Sequence, residues 1–275
     1  MNSIETKHLC AKIGDFTLKD INLAIPEGSI VGLVGKNGAG KTTLFKTLNG
    51  TYLKTSGEMH IDGLNYVDAE KEIRMAMSVM YDRFGGNQYI KGRLLRKIYL
   101  QSHPKFDVEM FDDLIQKYGI NLKKKLMNLS FGMQKKLMLI LTLSLHPKIL
   151  LLDEPLIGID PIDKQEFIRL IQNYMENEQH TIILSSHQVD DLQKIADYIL
   201  FINEGEIVLF EEKETLLEEY KMLILPKEDQ RVELMINPTP TSLGIQGLIH
   251  ARDGKELGDK VKRASLEQIF IHLCR

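Results

Sequence analysis

The residue types best suited to chemistry occur in a glycine-rich segment, residues 35–43, with the sequence GKNGAGKTT. An apolar, strand-like run precedes it and a helix-like run follows it, which is the context of a phosphate-binding P-loop. Glycines allow backbone N–H groups to approach phosphate oxygens, Lys41 can reach the β- and γ-phosphates, and the Thr42 hydroxyl can bind Mg²⁺. The segment therefore predicts nucleotide binding with Mg²⁺. The predicted binding residues are Gly35, Asn37, Gly38, Ala39, Gly40, Lys41, Thr42 and Thr43.

Two adjacent carboxylates, Asp153 and Glu154, follow a run of aliphatic residues at positions 149–152. Such a run is typical of a strand buried on both faces of a parallel sheet, and these sheets bind ligands at the carboxyl ends of their strands. Asp153 suits a Mg²⁺ ligand beside Thr42, directly or through water. Glu154 can polarise an attacking water, a general-base role worth about 10²- to 10⁴-fold in rate. The pair therefore predicts hydrolysis at the bound phosphates.

The composition bounds the class of protein and its partners. The 275 residues carry 35 basic and 38 acidic side chains, a net charge of −3, so no basic excess indicates a nucleic-acid partner. The two cysteines, Cys10 and Cys274, are too sparse for a disulfide framework, which favours a reducing, cytosolic location. The N-terminus lacks the apolar core of a signal peptide, and the most apolar run, residues 137–145, is too short to span a bilayer. We therefore expect any membrane role to require a separate subunit.

The elements that must position these residues are predicted from the spacing of apolar side chains. Residues 16–25 are expected to form a strand, and Asp62-Gly63 is expected to form a hairpin turn. A further antiparallel strand is expected at residues 75–80. Helical spacing then marks an insert at about residues 85–145. Two buried strands after this insert predict a parallel core sheet in an α/β protein.

The last part of the chain combines a helix start signal, a hairpin and a small appendage. Asp160, followed by proline, is suited to the N-cap of a helix. Strand-like runs on either side of residues 203–205 indicate a hairpin, and Ser265 is expected to begin a final amphipathic helix. We expect a main domain at residues 1–219 and a small C-terminal appendage at residues 220–275, packed on the core.

Between the P-loop and the carboxylates lies a short segment, residues 129–134, with the sequence LSFGMQ at the start of a helical pattern. The Ser130 hydroxyl, the Gly132 N–H and the helix N-terminus can form a second phosphate cradle. With the three motifs in this order, residues 3–210 resemble the ATP-binding subunits of ABC transporters. The resemblance implies an α/β fold of the P-loop ABC ATPase type, with a RecA-like core of mixed, mainly parallel strands, an N-terminal antiparallel β subdomain and an inserted helical subdomain. It also implies ATP and Mg²⁺ as ligands.

The same resemblance implies roles for residues outside the P-loop. Asp160 lies in a segment that resembles the D-loop. His187 resembles the switch histidine, which would join Glu154 in catalysis by contacting the γ-phosphate and the attacking water. Ser130 and Gly132 would close over ATP bound to a second ATPase subunit. Each ATP would therefore lie between two chains.

Three positions depart from the family pattern. Phe131 stands where the signature segment usually has glycine, which makes the segment more like the exporters often called ABC-2 type. Asp82 stands where the Q-loop glutamine is expected, so it is a candidate for catalysis and for Mg²⁺, with Gln88 as the alternative Q-loop residue. Ile13 replaces the aromatic residue that stacks on adenine, which leaves Ile13 and the nearby Phe16 as the expected adenine contacts.

These observations together predict an ATPase subunit that dimerises head to tail with an identical or different second subunit. It would drive a transmembrane permease subunit at the cytoplasmic face of the membrane, as a peripheral protein. The helical insert and the loop before it, residues 82–145, are the expected docking site of the permease. Export of a peptide, drug or lipid-like substrate is the expected direction. Two alternatives are a non-transport ABC ATPase and a degenerate regulatory subunit of a heterodimeric pair.

Overall fold

The computed structural model of the chain, which describes residues 1–176, 180–254 and 261–274, alternates strands and helices along most of its length. The strands are β1 (Asn2–Ile13), β2 (Phe16–Pro26), β3 (Ile30–Val34), β4 (Ser56–Ile61), β5 (Met77–Met80), β6 (Ile149–Leu152), β7 (Thr181–Ser186), β8 (Tyr198–Asn203), β9 (Glu206–Glu212), β10 (Tyr220–Leu225), β11 (Ile236–Thr241), β12 (Gly244–His250) and β13 (Val261–Arg263). The α-helices are α1 (Lys41–Leu48), α2 (Tyr66–Ala76), α3 (Gly92–Ser102), α4 (Val108–Lys117), α5 (Phe131–Leu143), α6 (Pro161–Met175), α7 (Val189–Gln193), α8 (Lys213–Glu219) and α9 (Leu266–Leu273).

A six-stranded central sheet forms the core, with the strand order β5-β6-β7-β3-β8-β9. Its strands are parallel except for the edge strand β9, which forms the predicted hairpin with β8. Every residue of β3, β6 and β7 is buried, as expected for strands covered on both faces. The predicted parallel core is therefore confirmed. The carboxyl ends of these three strands share one edge of the sheet, which brings together the P-loop, Asp153 and His187.

An antiparallel sheet at the N-terminus has the order β2-β1-β4, and its buried side chains join a cluster on one face of the central sheet. The hairpin predicted at Asp62-Gly63 is wrong, because β4 pairs with β1 rather than with the segment that follows the turn. The turn is closed by a pair between Ile61 and Leu64 and leads directly into α2. The Asn65 side chain caps this helix by accepting two backbone N–H bonds. A turn signal alone does not distinguish a following strand from a following helix.

The strand predicted at residues 75–80 is shorter and belongs to a different sheet. Met75 and Ala76 lie in α2, and β5 begins at Met77. Because β5 pairs in parallel with β6 at the edge of the central sheet, the antiparallel prediction is wrong. Four strand residues carry too little pattern to specify a partner, and the pairing is decided by tertiary neighbours.

Helices α3, α4 and α5 form the predicted helical insert between β5 and β6. Leu95 of α3 and Phe111 and Ile115 of α4 are buried in one cluster with α5. An ion pair also links the first two helices, with Nε of Arg96 donating to Oδ1 of Asp112 at 2.7 Å. In the part of the chain that the structure describes, no helix is both long and apolar enough to cross a bilayer.

The C-terminal part is a four-stranded antiparallel sheet, with the order β11-β12-β10-β13, followed by α9. Ser265 begins α9 with a capping box, which confirms the predicted helix start. Phe270 of α9 packs edge to face on a phenylalanine of β8, with ring centroids 5.3 Å apart, so α9 rests on the central core. The domain boundary between residues 219 and 220 stays a prediction. Part of the predicted appendage, residues 255–260 and 275, lies outside the described residues.

Candidate active site

The P-loop connects β3 to α1 and folds around a cavity of about 320 Å³. Gly38 and Gly40 have φ angles of 83° and 111°, in the left-handed region that other residues rarely adopt. Gly40 also has no room for a side chain, because a Cβ atom there would lie 2.8 Å from the ring of Phe16. The left-handed backbone, together with the nearby ring, favours glycine at this position. The cavity is lined by Phe16, Lys36, Asn37, Gly38, Gly40, Lys41, Thr42, Thr43 and Glu154.

Lys41, the first residue of α1, is a buried lysine at this cavity. Its Nζ donates to the carbonyl oxygen of Gly35 at 2.7 Å and lies 3.2 Å from Oε1 of Glu154. Ala39 shapes the loop from behind, since its carbonyl oxygen accepts a hydrogen bond from the Gly205 N–H at 3.0 Å. A buried ammonium group needs such partners, and a phosphate oxygen is a stronger partner than a carbonyl. Gly35 and Ala39 thus set the loop geometry rather than line the cavity.

Thr42 and Asp153, the two residues predicted at the metal, are in contact. The Thr42 hydroxyl donates to Oδ2 of Asp153 at 2.6 Å. The Ser185 hydroxyl, in β7, donates to the other carboxylate oxygen, Oδ1, at 2.8 Å. A hydroxyl and a carboxylate oxygen this close form a pair of hard oxygen ligands, which fits Mg²⁺ because that ion binds few protein ligands beside substrate phosphates. The sequence-based prediction missed Ser185, since a serine at the end of a buried strand carries no signal of its own.

Glu154 has a φ angle of 46°, a left-handed backbone that is uncommon for glutamate. Its N–H donates to Oγ of Ser185 at 2.9 Å. Its carboxylate lies between two predicted partners of the phosphate: Oε1 is 3.2 Å from Nζ of Lys41, and Oε2 is 3.0 Å from Nδ1 of His187. The structure therefore brings the predicted base and the predicted switch histidine together at the P-loop.

The signature segment and the D-loop residue lie apart from this cavity. Ser130 caps α5, its hydroxyl oxygen accepting from the Met133 N–H at 3.2 Å, and Gly132 lies in the first turn. Asp160 caps α6, and the hydrogen bond from the Asp163 N–H is the main cause that lowers the pKa of the Asp160 carboxyl. None of the described residues that line the P-loop cavity comes from these two segments. Within one chain they do not complete the site.

Asp82 and Gln88, the two Q-loop candidates, line a second cavity of about 260 Å³ beside α5. Oδ1 of Asp82 lies 2.9 Å from Nζ of Lys135, a residue that the sequence-based prediction did not include. Neither candidate is among the described residues that line the P-loop cavity. Of the two predicted adenine contacts, Ile13 pairs with Phe16 across the first hairpin, but Phe16 alone of these two lines the P-loop cavity.

Comparison with known families agrees with this geometry. Residues 18–157, about half of the chain, match the family model described as ABC transporter. This chain belongs to the ATP-binding subunits of ABC transporters. The ABC ATPase is 31% identical over 226 residues to the ABC transporter ATP-binding protein YtrB of Bacillus subtilis, covering 79% of this chain and 74% of that protein. It is 32% identical over 204 residues to the lantibiotic transport ATP-binding protein SrtF of Streptococcus pyogenes, covering 71% and 84%.

The fold of the ABC ATPase also matches solved structures. The structure of an ATP-binding subunit of an ABC transporter superposes with a TM-score of 0.69 at 19% identity, covering 78% of this chain and 91% of the other. At this identity the likeness shows the fold alone, and it confirms the predicted P-loop α/β architecture. Membership of the family makes the chain an ATPase that binds and hydrolyses ATP. The matched segment contains the P-loop, the signature segment and both carboxylates.

Proposed function

We propose that this ABC ATPase binds Mg²⁺-ATP in the P-loop cavity and uses Glu154 as the general base that activates water. The observation that carries the proposal is the position of the Glu154 carboxylate, 3.2 Å from Nζ of Lys41 and 3.0 Å from Nδ1 of His187. Phosphates held by the loop N–H groups and by Lys41 would have their terminal group beside this carboxylate. The base is therefore at the end of the cavity where the attacking water is needed.

Each side chain has one task in this mechanism. Lys41 binds a terminal phosphate oxygen in place of Oε1 of Glu154. The Glu154 oxygen is then free to accept a proton from water. His187 holds the other carboxylate oxygen and orients the base. Thr42 and Asp153 supply oxygen ligands for Mg²⁺, which when bound neutralises charge on the phosphates. Phosphoryl transfer depends on such positioning and charge stabilisation more than on covalent chemistry with the protein.

The proposed active form is a head-to-tail dimer, with an identical or different second ATPase subunit. Support comes from the signature segment, where Ser130 and Gly132 lie at the N-terminus of α5 but away from the chain's own P-loop cavity. A helix N-terminus with a hydroxyl group that can donate favours an anion, and a phosphate bound by the second subunit is an anion of suitable size. Asp160 would meet the second subunit near the same interface. ATP then joins the two chains, and its hydrolysis releases them.

The proposed partner in the membrane is a transmembrane permease subunit that docks on residues 82–145. The cavity beside α5 provides a groove lined by polar and apolar side chains, including Phe84 and Met138. Leu94 and Ile98 of α3 are exposed apolar side chains in the same insert. Docking there would place the ABC ATPase at the cytoplasmic face of the membrane as a peripheral protein, without a nucleic-acid partner.

We further propose export as the direction of transport, with a peptide, drug or lipid-like substrate. Phe131 in place of the usual signature glycine supports this, as does the similarity to a lantibiotic transport protein. A catalytic or metal-binding role for Asp82, with Gln88 as the alternative, stays a prediction. Asp82 would have to leave Lys135 in order to reach Mg²⁺.

The substitution Glu154→Gln tests the proposed function. It keeps the shape of the side chain, removes the base and removes the charge that holds Lys41, so ATP binding measured by calorimetry should be retained or become tighter. Phosphate release should fall by at least about 10²-fold, the usual contribution of a general base. The ATP-bound dimer should accumulate, which light scattering measures. Glu206→Gln is the matched control, because Glu206 is an exposed glutamate of β9 whose partner is Lys19.

Each outcome of this experiment has a defined meaning. Hydrolysis at the wild-type rate by Glu154→Gln would remove Glu154 from the role of base. A variant that binds ATP and stays monomeric would contradict the dimer. A wild-type chain that binds ATP without hydrolysing it, alone and with its permease, would support the regulatory-subunit alternative. Copurification with a protein of many transmembrane spans would separate transport from a non-transport ABC ATPase.

A further inference from the structure

Lys135 is a buried lysine of α5 that lies outside the P-loop cavity and makes two polar contacts between distant segments. Its side chain is 1% exposed. Nζ donates to Oδ1 of Asp82 at 2.9 Å and to the carbonyl oxygen of Glu154 at 3.1 Å. The ring of Phe131 covers it, with the centroid 5.5 Å from Nζ. One ammonium group thus joins the loop after β5, the signature helix and the residue proposed as the catalytic base.

The peptide of Glu154 needs such support, because its φ angle of 46° is strained for a residue with a side chain. Three hydrogen bonds hold this residue's backbone. Its N–H donates to Ser185 in β7, and its carbonyl oxygen accepts from Lys135 in α5 at 3.1 Å and from the Ile157 N–H at 3.4 Å. The direction of the carboxylate follows from this backbone conformation. Without Lys135 the carbonyl of this left-handed residue would keep only the longer hydrogen bond from the Ile157 N–H.

Asp82 supplies the opposite charge that keeps a lysine in this buried place. A buried ammonium group without a partner is costly, so the carboxylate and the carbonyl are both needed. Asp82 itself is partly exposed, and Nε of Arg83 lies 3.7 Å from its other oxygen. Its carboxylate therefore remains hydrated if Lys135 is removed, whereas Lys135 has no such compensation if Asp82 is removed.

We propose that Lys135 is a positioning residue for Glu154: by holding the Glu154 carbonyl it fixes the left-handed backbone that directs the carboxylate toward Lys41 and His187. Asp82 acts through Lys135 by balancing its charge. The inference rests on the proposed function, in which Glu154 is the base. It assigns a role in hydrolysis to a side chain that is not among the described residues lining the P-loop cavity.

Lys135→Met tests the inference, since methionine fills the same space and cannot donate. The kcat for ATP hydrolysis should fall by about 10- to 100-fold, because a displacement of about 1 Å at a reacting group has costs of this size. The KM and Kd for ATP should change by less than about threefold, because the P-loop is untouched. Lys135→Arg keeps the charge and the donors and should recover part of the lost kcat.

The matched control is Lys136→Met, at the next position of the same helix. Lys136 is also buried, and its Nζ pairs with Asp163 and Glu166 of α6 rather than with Glu154. The kcat of the Lys136→Met variant should stay within about twofold of the wild-type value, although two ion pairs are lost. Equal losses of kcat in both variants would show a general packing effect of α5 and would overturn the inference.

A crystal structure of the Lys135→Met variant gives a readout that does not depend on turnover. We expect Glu154 to leave the left-handed region and its carboxylate to lose the contact with Lys41 or with His187. An unchanged Glu154 overturns the inference. If the Lys135→Met variant does not fold, Lys135→Gln is assayed in its place, because glutamine can donate a hydrogen bond but carries no charge. A wild-type kcat for Lys135→Gln would refute a role of the charge. Normal kcat in Lys135→Met with an inactive Glu154→Gln would refute the positioning role alone, whereas an active Glu154→Gln would refute the proposed function.

Discussion

The substitution Ser185→Ala removes a hydroxyl that links Asp153, the proposed metal ligand, to Glu154, the proposed base. Ser185 is completely buried at the end of β7. Its Oγ donates to Oδ1 of Asp153 at 2.8 Å and accepts from the N–H of Glu154 at 2.9 Å. Alanine leaves one carboxylate oxygen of Asp153 without this donor and the strained Glu154 peptide without this acceptor. The expected result is a less stable protein with a weakened response to Mg²⁺.

The size of each effect follows from these two contacts. A hydrogen bond to a charged group contributes about 1.5–3 kcal/mol to stability and a neutral one about 1 kcal/mol, so the free energy of unfolding should fall by about 2–4 kcal/mol. For a chain of this size each kcal/mol shifts Tm by about 2–4 °C, so a loss of this size predicts a decrease of about 4–16 °C. Loss of a hydrogen bond that orients a metal ligand commonly weakens metal binding by about 10- to 100-fold. The Mg²⁺ concentration for half-maximal hydrolysis should therefore rise by at least about tenfold.

The assay is a Mg²⁺ titration of ATP hydrolysis at saturating ATP, combined with thermal unfolding. Ser186→Ala is the matched control, because the Ser186 hydroxyl also makes two hydrogen bonds, both to the backbone of Gln188. Ser186 follows Ser185 in the same strand, and its hydroxyl is not hydrogen-bonded to the carboxylate of Asp153 or of Glu154. We expect a lower Tm for the control with an unchanged Mg²⁺ dependence. A Ser185→Ala variant whose Mg²⁺ titration matches that of Ser186→Ala would refute the argument that Ser185 orients Asp153.

The remaining predictions concern the P-loop and the C-terminal helix. Lys41→Ala should weaken ATP binding by about 10²-fold, because the phosphates lose a charged donor worth about 2–5 kcal/mol. The control variant Lys46→Ala, in the same helix, should bind ATP normally. Calorimetry measures the binding of both variants, and unchanged binding by Lys41→Ala would contradict the P-loop assignment. Burial raises the pKa of the Cys274 thiol to about 11, so the thiol stays protonated at pH 8. Iodoacetamide at pH 8 should therefore modify Cys10 before Cys274, and labelling of Cys274 should increase as the pH rises toward 11. Mass spectrometry measures the labelling of each cysteine. Equal labelling rates of the two cysteines at pH 8 would contradict the burial of Cys274.

The part of the site that sequence reasoning could predict consists of contiguous motifs. The P-loop glycines and Lys41 lie within a few residues of one another, and Asp153 and Glu154 are adjacent. Their spacing alone places them on a strand-to-helix turn and at a strand end, where parallel sheets bind ligands. His187 could be predicted for the same reason, because it follows a buried strand. Local pattern and site geometry coincide at these positions.

The features that sequence reasoning missed depend on contacts between distant segments. Lys135 and Asp82 are 53 residues apart, and neither position has a pattern that indicates the other. Ser185 looks like any serine at a strand end until the neighbouring strand brings Asp153 beside it. The wrong hairpin at Asp62-Gly63 has a similar cause, since β4 finds its partner in β1, far earlier in the chain. Strand partners and buried ion pairs are tertiary facts, and a single sequence does not specify them.

The contact between Lys41 and Glu154 gives a physical reason why ATP binding would prepare the base. The two side chains are 7% and 15% exposed, so each depends on the other for charge compensation. A triphosphate carries more negative charge than a carboxylate and also binds the loop N–H groups, so it competes successfully for Lys41. In the proposed mechanism Glu154 then keeps the contact between Oε2 and His187, and its Oε1 is released from Lys41 when the γ-phosphate arrives. The proposed base would therefore have an oxygen available to the attacking water only while ATP occupies the P-loop and holds Lys41.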